Sequence, residues 1–364
     1  MTTIKKKITA LFSILTIIAL AGVAFIFLPL PKESNATPNI VIVATGGTIA
    51  GAGKSSSEAG YSSSKIMVDE LVLSVPNISK IANITGEQFS QIGSQDMTNE
   101  IWLKLAKRIN QILKNKDVTG VVITHGTDTL EETAYFLNLV VKSNKPVVLV
   151  GSMRPSTSLS ADGPLNLYNA VAVAANKESV GKGVLVVFND HIYSARDVSK
   201  IHTTNVDAFR SYNSGPIGHA HYSNIRYYYS PTRINTKDSM FDITNLETLP
   251  DVHILYGYAN QSALMTQNLV DSGVDGIVYA GVGDGNLYKD SLKIMIEAVN
   301  KGTVLVRSAR VGSGFVVPNA EINDTEYGFV TADNLSPQKA RILLMLALTK
   351  TKDPKEIQEI FWKY

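Results

Sequence analysis

No cysteine occurs in the 364 residues. That absence excludes disulfides, thiolate metal ligands, a cysteine nucleophile and a lipidated N-terminal cysteine. Net charge is nearly absent too: 34 Lys and Arg against 32 Asp and Glu leave +2, so no overall basic field attracts nucleic acid. Histidine is sparse, at six residues, and His219-x-His221 lacks a further His or Glu at metal-ligand spacing. No metal and no cofactor is therefore expected. What is present is the balance of a packed chain, 45% hydrophobic and 18% charged, which rules out a disordered or collagenous protein. The length suits two or three domains.

The long apolar run is confined to the N-terminus. Lys5, Lys6 and Lys7 precede an uncharged stretch from Ile8 to Leu30, and Ser34-Asn35-Ala36 offers a small-x-small cleavage site. Residues 1–36 are expected to be a secretory signal cleaved after Ala36, giving a periplasmic or secreted protein. An uncleaved anchor is the rival, because the run is long enough to span a bilayer. Pro29 and Pro31 favour cleavage by breaking the helix just before the site. Removing the segment leaves 30 basic against 31 acidic side chains.

From Asn39 onward the apolar runs are short, β-branched and not alternating: Ile40–Val43, Val121–Thr124, Val147–Val150 and Val184–Val187. They read as strands buried on both faces. Between them lie helical periods, including Ile101, Leu105, Ile109 and Leu113, then Glu132–Val141 and Leu165–Ala174. The alternation predicts an α/β fold, a doubly wound, mainly parallel sheet over residues 38–228. Residues 229–250 lack a sustained period and read as a linker. Strands at His253–Tyr256, Gly276–Ala280 and Thr303–Val306 then alternate with helices at Ser291–Val299 and Ser336–Thr349, predicting a smaller α/β domain over residues 251–364. The serine-rich stretch 54–64 reads as a polar, mobile loop.

Two of the strands end in unusual loops. Val41–Ala44 runs into Thr45-Gly46-Gly47-Thr48, and Val121–Ile123 runs into Thr124-His125-Gly126-Thr127-Asp128-Thr129. Each delivers a glycine turn and hydroxyls to the carboxyl edge of the sheet, where open α/β folds bind ligands. A phosphate-binding loop is excluded by spacing, because Gly47 and Gly53 are separated by five residues where that motif needs four. One such loop reads equally well as a structural turn, with Asp128 as a helix cap. Two converging loops favour a small-ligand site. His125 reads as a hydrogen-bonded structural residue.

Val41–Ala50 (VIVATGGTIA) and Gly120–Leu130 (GVVITHGTDTL) resemble the two signature segments of bacterial L-asparaginases, and the likeness extends through Gly93–Met97 (GSQDM), Gly151–Tyr168, Lys200 and Ser336–Ala340. With the apparent export signal, the chain is most similar to the periplasmic, type II branch. The resemblance implies that Thr48 is the nucleophile and that Tyr61 closes over the site and assists it. It implies that Thr127, Asp128 and Lys200 form a second polar cluster. Ser94, Gln95 and Asp128 would hold the substrate's α-carboxylate and α-ammonium, while Asn286 and Glu321 would reach into a neighbouring subunit's site. A homotetramer built of two close dimers is the assembly implied. Relatives in this branch that carry a disulfide in the first domain differ from this chain, which cannot form one.

The residue chemistry agrees with these roles. A threonine hydroxyl is a weak nucleophile and needs a nearby base, for which a desolvated lysine serves. Backbone N–H groups at Gly46-Gly47 and Gly126-Thr127 are candidate oxyanion donors. The expected reaction is hydrolysis of L-asparagine to L-aspartate and ammonia through an acyl-threonine. A broader glutaminase-asparaginase remains open, since one methylene is worth only about 1–3 kcal/mol in a pocket. From another class, an exported two-domain protein that traps an amino acid without turnover also fits.

Overall fold

The structure, a computed structural model, describes residues 36–53, 55 and 61–364. The expected signal or anchor and most of the serine-rich loop lie outside the described residues. Among those described, no helix is long and apolar enough to cross a membrane.

The short apolar runs become the strands of an eight-stranded sheet. In chain order the first half contains β1 (Asn39–Gly46), α1 (Val68–Leu73), β2 (Asn83–Ile92), α2 (Asn99–Lys114), β3 (Gly120–Thr124), α3 (Leu130–Val140), β4 (Val147–Val150), α4 (Gly163–Ala175), β5 (Val184–Phe188), β6 (His191–Ser194), β7 (Gly218–His221) and β8 (Asn224–Tyr227). The sheet order is β8-β7-β6-β5-β4-β3-β1-β2. From β5 to β2 the strands are parallel, and β6, β7 and β8 add an antiparallel edge. Every residue of β3, β4 and β5 is buried, because helices cover both faces. On one face α2 and α3 pack with Trp102, Leu105, Ile109 and Phe136, and on the other α4 packs with Leu167 and Val171.

A second, four-stranded parallel sheet follows, built from β9 (Val252–Tyr256), β10 (Gly276–Gly281), β11 (Val304–Ala309) and β12 (Val330–Thr331) in that order. Its helices are α5 (Ala263–Asp271), α6 (Lys289–Asn300), α7 (Pro337–Ala347) and α8 (Pro354–Lys363). Residues 229–250 hold no long element, yet they bury Phe241 and Ile243 in the same apolar cluster that contains Val43 of β1 and Val278 of β10. One core thus runs from the large sheet through α7 into the small one.

The strand β2 departs from the sequence expectation. Its residues Asn83–Ile92 are largely polar and half-exposed because β2 is the sheet edge, where a hydrophobic run is not required. It pairs in parallel with β1, Ile42 opposite Gly86, with an irregular register between Ala44 and Gly46 that sets Gly46 opposite Ile92. The carboxyl ends of β2, β1 and β3 are therefore neighbours on one edge.

Candidate active site

Three loops leave that edge side by side. After β1, Gly46 and Gly47 adopt φ of 117° and 82°, a left-handed backbone that glycine tolerates. A Cβ on Gly47 would lie 2.3 Å from the Cα of Gly126, so the two glycine turns touch backbone to backbone and no side chain fits between them. Ser64 reinforces the contact: its Oγ accepts the Gly47 N–H at 2.8 Å and donates to the Ile92 carbonyl at 2.8 Å. The Gly47 N–H also reaches that carbonyl, at 3.1 Å. It is already donated twice, which removes it from the expected oxyanion donors.

Thr48 opens a short turn, Thr48–Ala50, and is 8% exposed. Behind β2, Ser94 is buried and ties its loop to that of β3: its Oγ accepts the Asp128 N–H at 3.1 Å, and its carbonyl accepts the Thr129 hydroxyl at 2.7 Å. The Asp128 carboxylate does not cap α3, whose capping position is Thr129. It instead pairs with the Lys200 ammonium, Oδ1 to Nζ at 2.6 Å. The same ammonium donates to Thr127 Oγ1 at 2.9 Å. Lys200 is far from the surface lysine its polar sequence context suggests, with 17% of its side chain exposed. It sits in a two-stranded ribbon, Ser199–Lys200 against Phe209–Arg210.

The loops border an open cavity of about 310 Å³, lined among the described residues by Gly47, Thr48, Ser63, Gly93, Ser94, Gln95, Gly126 and Asp128. The size lies at the small end for ligand pockets, suited to one amino acid. Four of the sequence-selected residues, Thr48, Ser94, Gln95 and Asp128, thus meet in one space, with Thr127 and Lys200 bonded to its wall. Tyr61 joins through its backbone, opposite Gly53 in a second ribbon, Ala52–Gly53 against Tyr61–Ser62. His125 is fully buried between Gly126 O at 2.7 Å and Thr133 Oγ1 at 2.9 Å, and burial pushes its imidazole down to about 4. A neutral, doubly bonded ring is structural, as expected. His221 is engaged by Asp190 at 2.9 Å.

Asn286 and Glu321 do not line this cavity. They bond to each other, Asn286 Nδ2 to Glu321 Oε2 at 2.7 Å, in loops of the second sheet. Asn286 closes a tight turn by pairing with Val282, while its Oδ1 is buried without a partner among the described residues. Sequence reading missed what holds this pair. Arg307, 1% exposed, forks onto Asp324 at 2.5 and 2.7 Å and donates to the carbonyls of Asp284, Gly285 and Val317. One buried guanidinium therefore fastens the turn bearing Asn286 to the segment leading to Glu321. A charge directly after the apolar run Thr303–Val306 was the available signal. Ser64, inside a serine tract, gave none.

The family profile described as Asparaginase, N-terminal, matches residues 39–233, and that described as Glutaminase/Asparaginase C-terminal domain matches residues 251–361. The chain is 55% identical over 329 residues to L-asparaginase 2 of Escherichia coli, covering 90% of this chain and 94% of that one. It is 53% identical over 324 residues to a probable periplasmic L-asparaginase of Haemophilus influenzae, covering 89% and 92%. Among solved structures it superposes with a TM-score of 0.87 on a probable cytoplasmic L-asparaginase from Campylobacter jejuni, 50% identical, covering 90% of this chain and all of that one. Two profiles in order, high identity along nearly the whole described chain and the convergent threonine loops lead to one conclusion: the chain belongs to the asparaginase family.

Proposed function

We propose that this protein hydrolyses the side-chain amide of L-asparagine, releasing L-aspartate and ammonia. The observation that carries this reading is the small cavity in which Thr48, Ser94, Gln95 and Asp128 meet, with the Thr127–Lys200–Asp128 cluster bonded to its wall. The names of the Escherichia coli and Haemophilus influenzae relatives support it.

In this reading Thr48 is the nucleophile, since its residue lines the cavity whereas Thr127 stands behind with Lys200. The Thr48 oxygen bonds to the amide carbon while its proton passes by way of the Thr127 hydroxyl to Lys200, which must react as the neutral amine to accept it, and the C–N bond breaks as that proton is handed on to the departing nitrogen as ammonia. Water then attacks the acyl-threonine ester, giving aspartate and restoring the hydroxyl. Ser94 and Gln95 hold the substrate's α-carboxylate, Asp128 its α-ammonium, and Tyr61 covers the site and assists Thr48.

Asn286 and Glu321 complete the site from a neighbouring subunit. The apolar side chains left in solvent on and beside the small sheet's edge support a neighbour there: Tyr256, Tyr258, Leu264 and Met265, each 46% exposed or more. The assembly that satisfies them is a homotetramer of two close dimers. Residues 38–228 and 251–364 act as its two domains, joined by 229–250. Residues 1–36 serve as a signal cleaved after Ala36, a reading the Haemophilus influenzae name supports and N-terminal sequencing of the exported protein checks.

The test is ammonia release from asparagine and glutamine side by side, with Thr48→Ala and Thr127→Ala variants. Asparagine should be the better substrate, and each variant should lose turnover by orders of magnitude while keeping its melting temperature. Release from neither amide would make the protein a binder. Near-normal turnover by both variants would end the threonine mechanism.

A further inference from the structure

Lys200 is gripped at two points, and the second is no part of the cluster described above. Its main-chain N–H donates to Glu131 Oε2 at 2.5 Å. Glu131 is 5% exposed, in the first turn of α3, three residues beyond Asp128. Its other oxygen, Oε1, accepts the side-chain amide of Gln338 at 2.5 Å. Both oxygens of a buried carboxylate are thereby satisfied, and a charged acceptor makes the bond to a backbone N–H stronger than a neutral one.

The grip extends back along the chain. Lys339, next to Gln338 and 1% exposed, donates its Nζ to the carbonyls of Arg196, at 2.8 Å, and Val198. Arg196 in turn reaches Asn334, Asp333 and the carbonyl of Tyr364. At alternate residues 196, 198 and 200, the backbone is thus tied directly or through Glu131 to the opening of α7. On its other side, the ribbon is extended by one bond, the Ile201 N–H donating to Ala208 O at 2.8 Å.

From this geometry we infer that Glu131 is a positioning residue for the reaction: it fixes the Lys200 main chain so that the ammonium stands between Thr127 and Asp128, with Gln338 holding Glu131 in place. The inference rests on the proposed role of Lys200. A lysine stem has four rotatable bonds, so an ammonium anchored only at its tip samples many positions, whereas one anchored at tip and root is held to within bonding distance of the Thr127 hydroxyl. Asp128 and Glu131, one turn of chain apart, hold the two ends of the same residue. Through Gln338 and Lys339, the small sheet's helix α7 thereby sets the geometry of a site on the large sheet's edge.

The experiment is steady-state ammonia release by the full, assembled protein with asparagine. Glu131→Ala should lower kcat by roughly 10- to 100-fold, as a small misplacement of a reacting group does, with KM changed by less than about threefold. Glu131→Gln, whose amide oxygen still accepts the Lys200 N–H while the Gln338 amide turns over, should recover most of that loss. In a Lys200→Met background the further change Glu131→Ala should cost nothing more, because its effect runs through the lysine. If Glu131→Ala does not fold, Gln338→Ala reads the same chain of contacts, with an expected fall in kcat of about three- to tenfold. A kcat within twofold of the parent, or an undiminished fall in the Lys200→Met background, overturns the inference while leaving the site reading intact. Full turnover by Lys200→Met alone overturns the site reading itself.

Discussion

Glu132 shows how a single side chain beside this site carries a measurable cost. Burial raises its carboxyl to about 7, the neighbouring Glu131 adds to the push, and Arg341 and Lys339 pull against it. A carboxyl whose folded value lies above its unfolded one favours the fold while protonated. Stability is therefore greatest below the ordinary value of 4.5 and falls as pH rises from there to about 7. His125 acts with the opposite sign, since its value is lowered: its contribution is complete above 6.5 and is lost as pH falls toward about 4. Comparing Glu132→Gln with the parent cancels the histidine and isolates the glutamate. The two should unfold alike near pH 4.5, and the variant should be more stable by about 1–3 kcal/mol at pH 7.5, measured by urea denaturation. Parallel stability curves across that range would show that the carboxyl is not held neutral.

Among elements, the parallel strands were legible and the polar ones were not. Runs such as Val147–Val150 and Val184–Val187 announce themselves because a strand covered on both faces must be apolar throughout. At the edge that requirement lapses, so Asn83–Ile92 carried no such mark although its end supplies the Ser94 loop. The two threonine loops were visible as paired glycine turns because they press together: a Cβ on Gly47 would meet the Gly126 backbone, and one on Gly126 would meet the Ser94 side chain. What stayed hidden was the scaffolding by long-range polar contacts: Glu131 to Lys200, Ser64 to Gly47 and Arg307 to Asp324 each join residues whose spacing in sequence follows no period. The last of these makes an element-scale prediction. Removing one partner of a buried pair strands the other charge, so Arg307→Met should destabilise the protein by about 3–5 kcal/mol, and the added change Asp324→Leu should recover part of that. A loss below about 1 kcal/mol in denaturant would mean that the turn bearing Asn286 is held by something other than this pair.

At the scale of the whole molecule, one chain places the residues expected to act together in two groups. Thr48, Ser94, Gln95 and Asp128 line the cavity, whereas Asn286 and Glu321 bond to each other and are not among its lining residues. If each site is completed by a partner subunit, a Thr48→Ala chain still offers an intact Glu321, and a Glu321→Ala chain still offers an intact Thr48. In a mixed two-fold dimer one of the two sites then carries both defects and the other carries neither. Purified separately, each variant should be nearly inactive. After joint unfolding and refolding at equal amounts, random pairing makes half the dimers mixed, so about a quarter of the sites, and about that share of parent turnover, should return. Native mass spectrometry of the mixture confirms that hybrids have formed. Recovery that rises and falls with the hybrid fraction would require sites shared between chains, whereas hybrids without recovery would require each site to be built within one chain, with Glu321 reaching its own cavity.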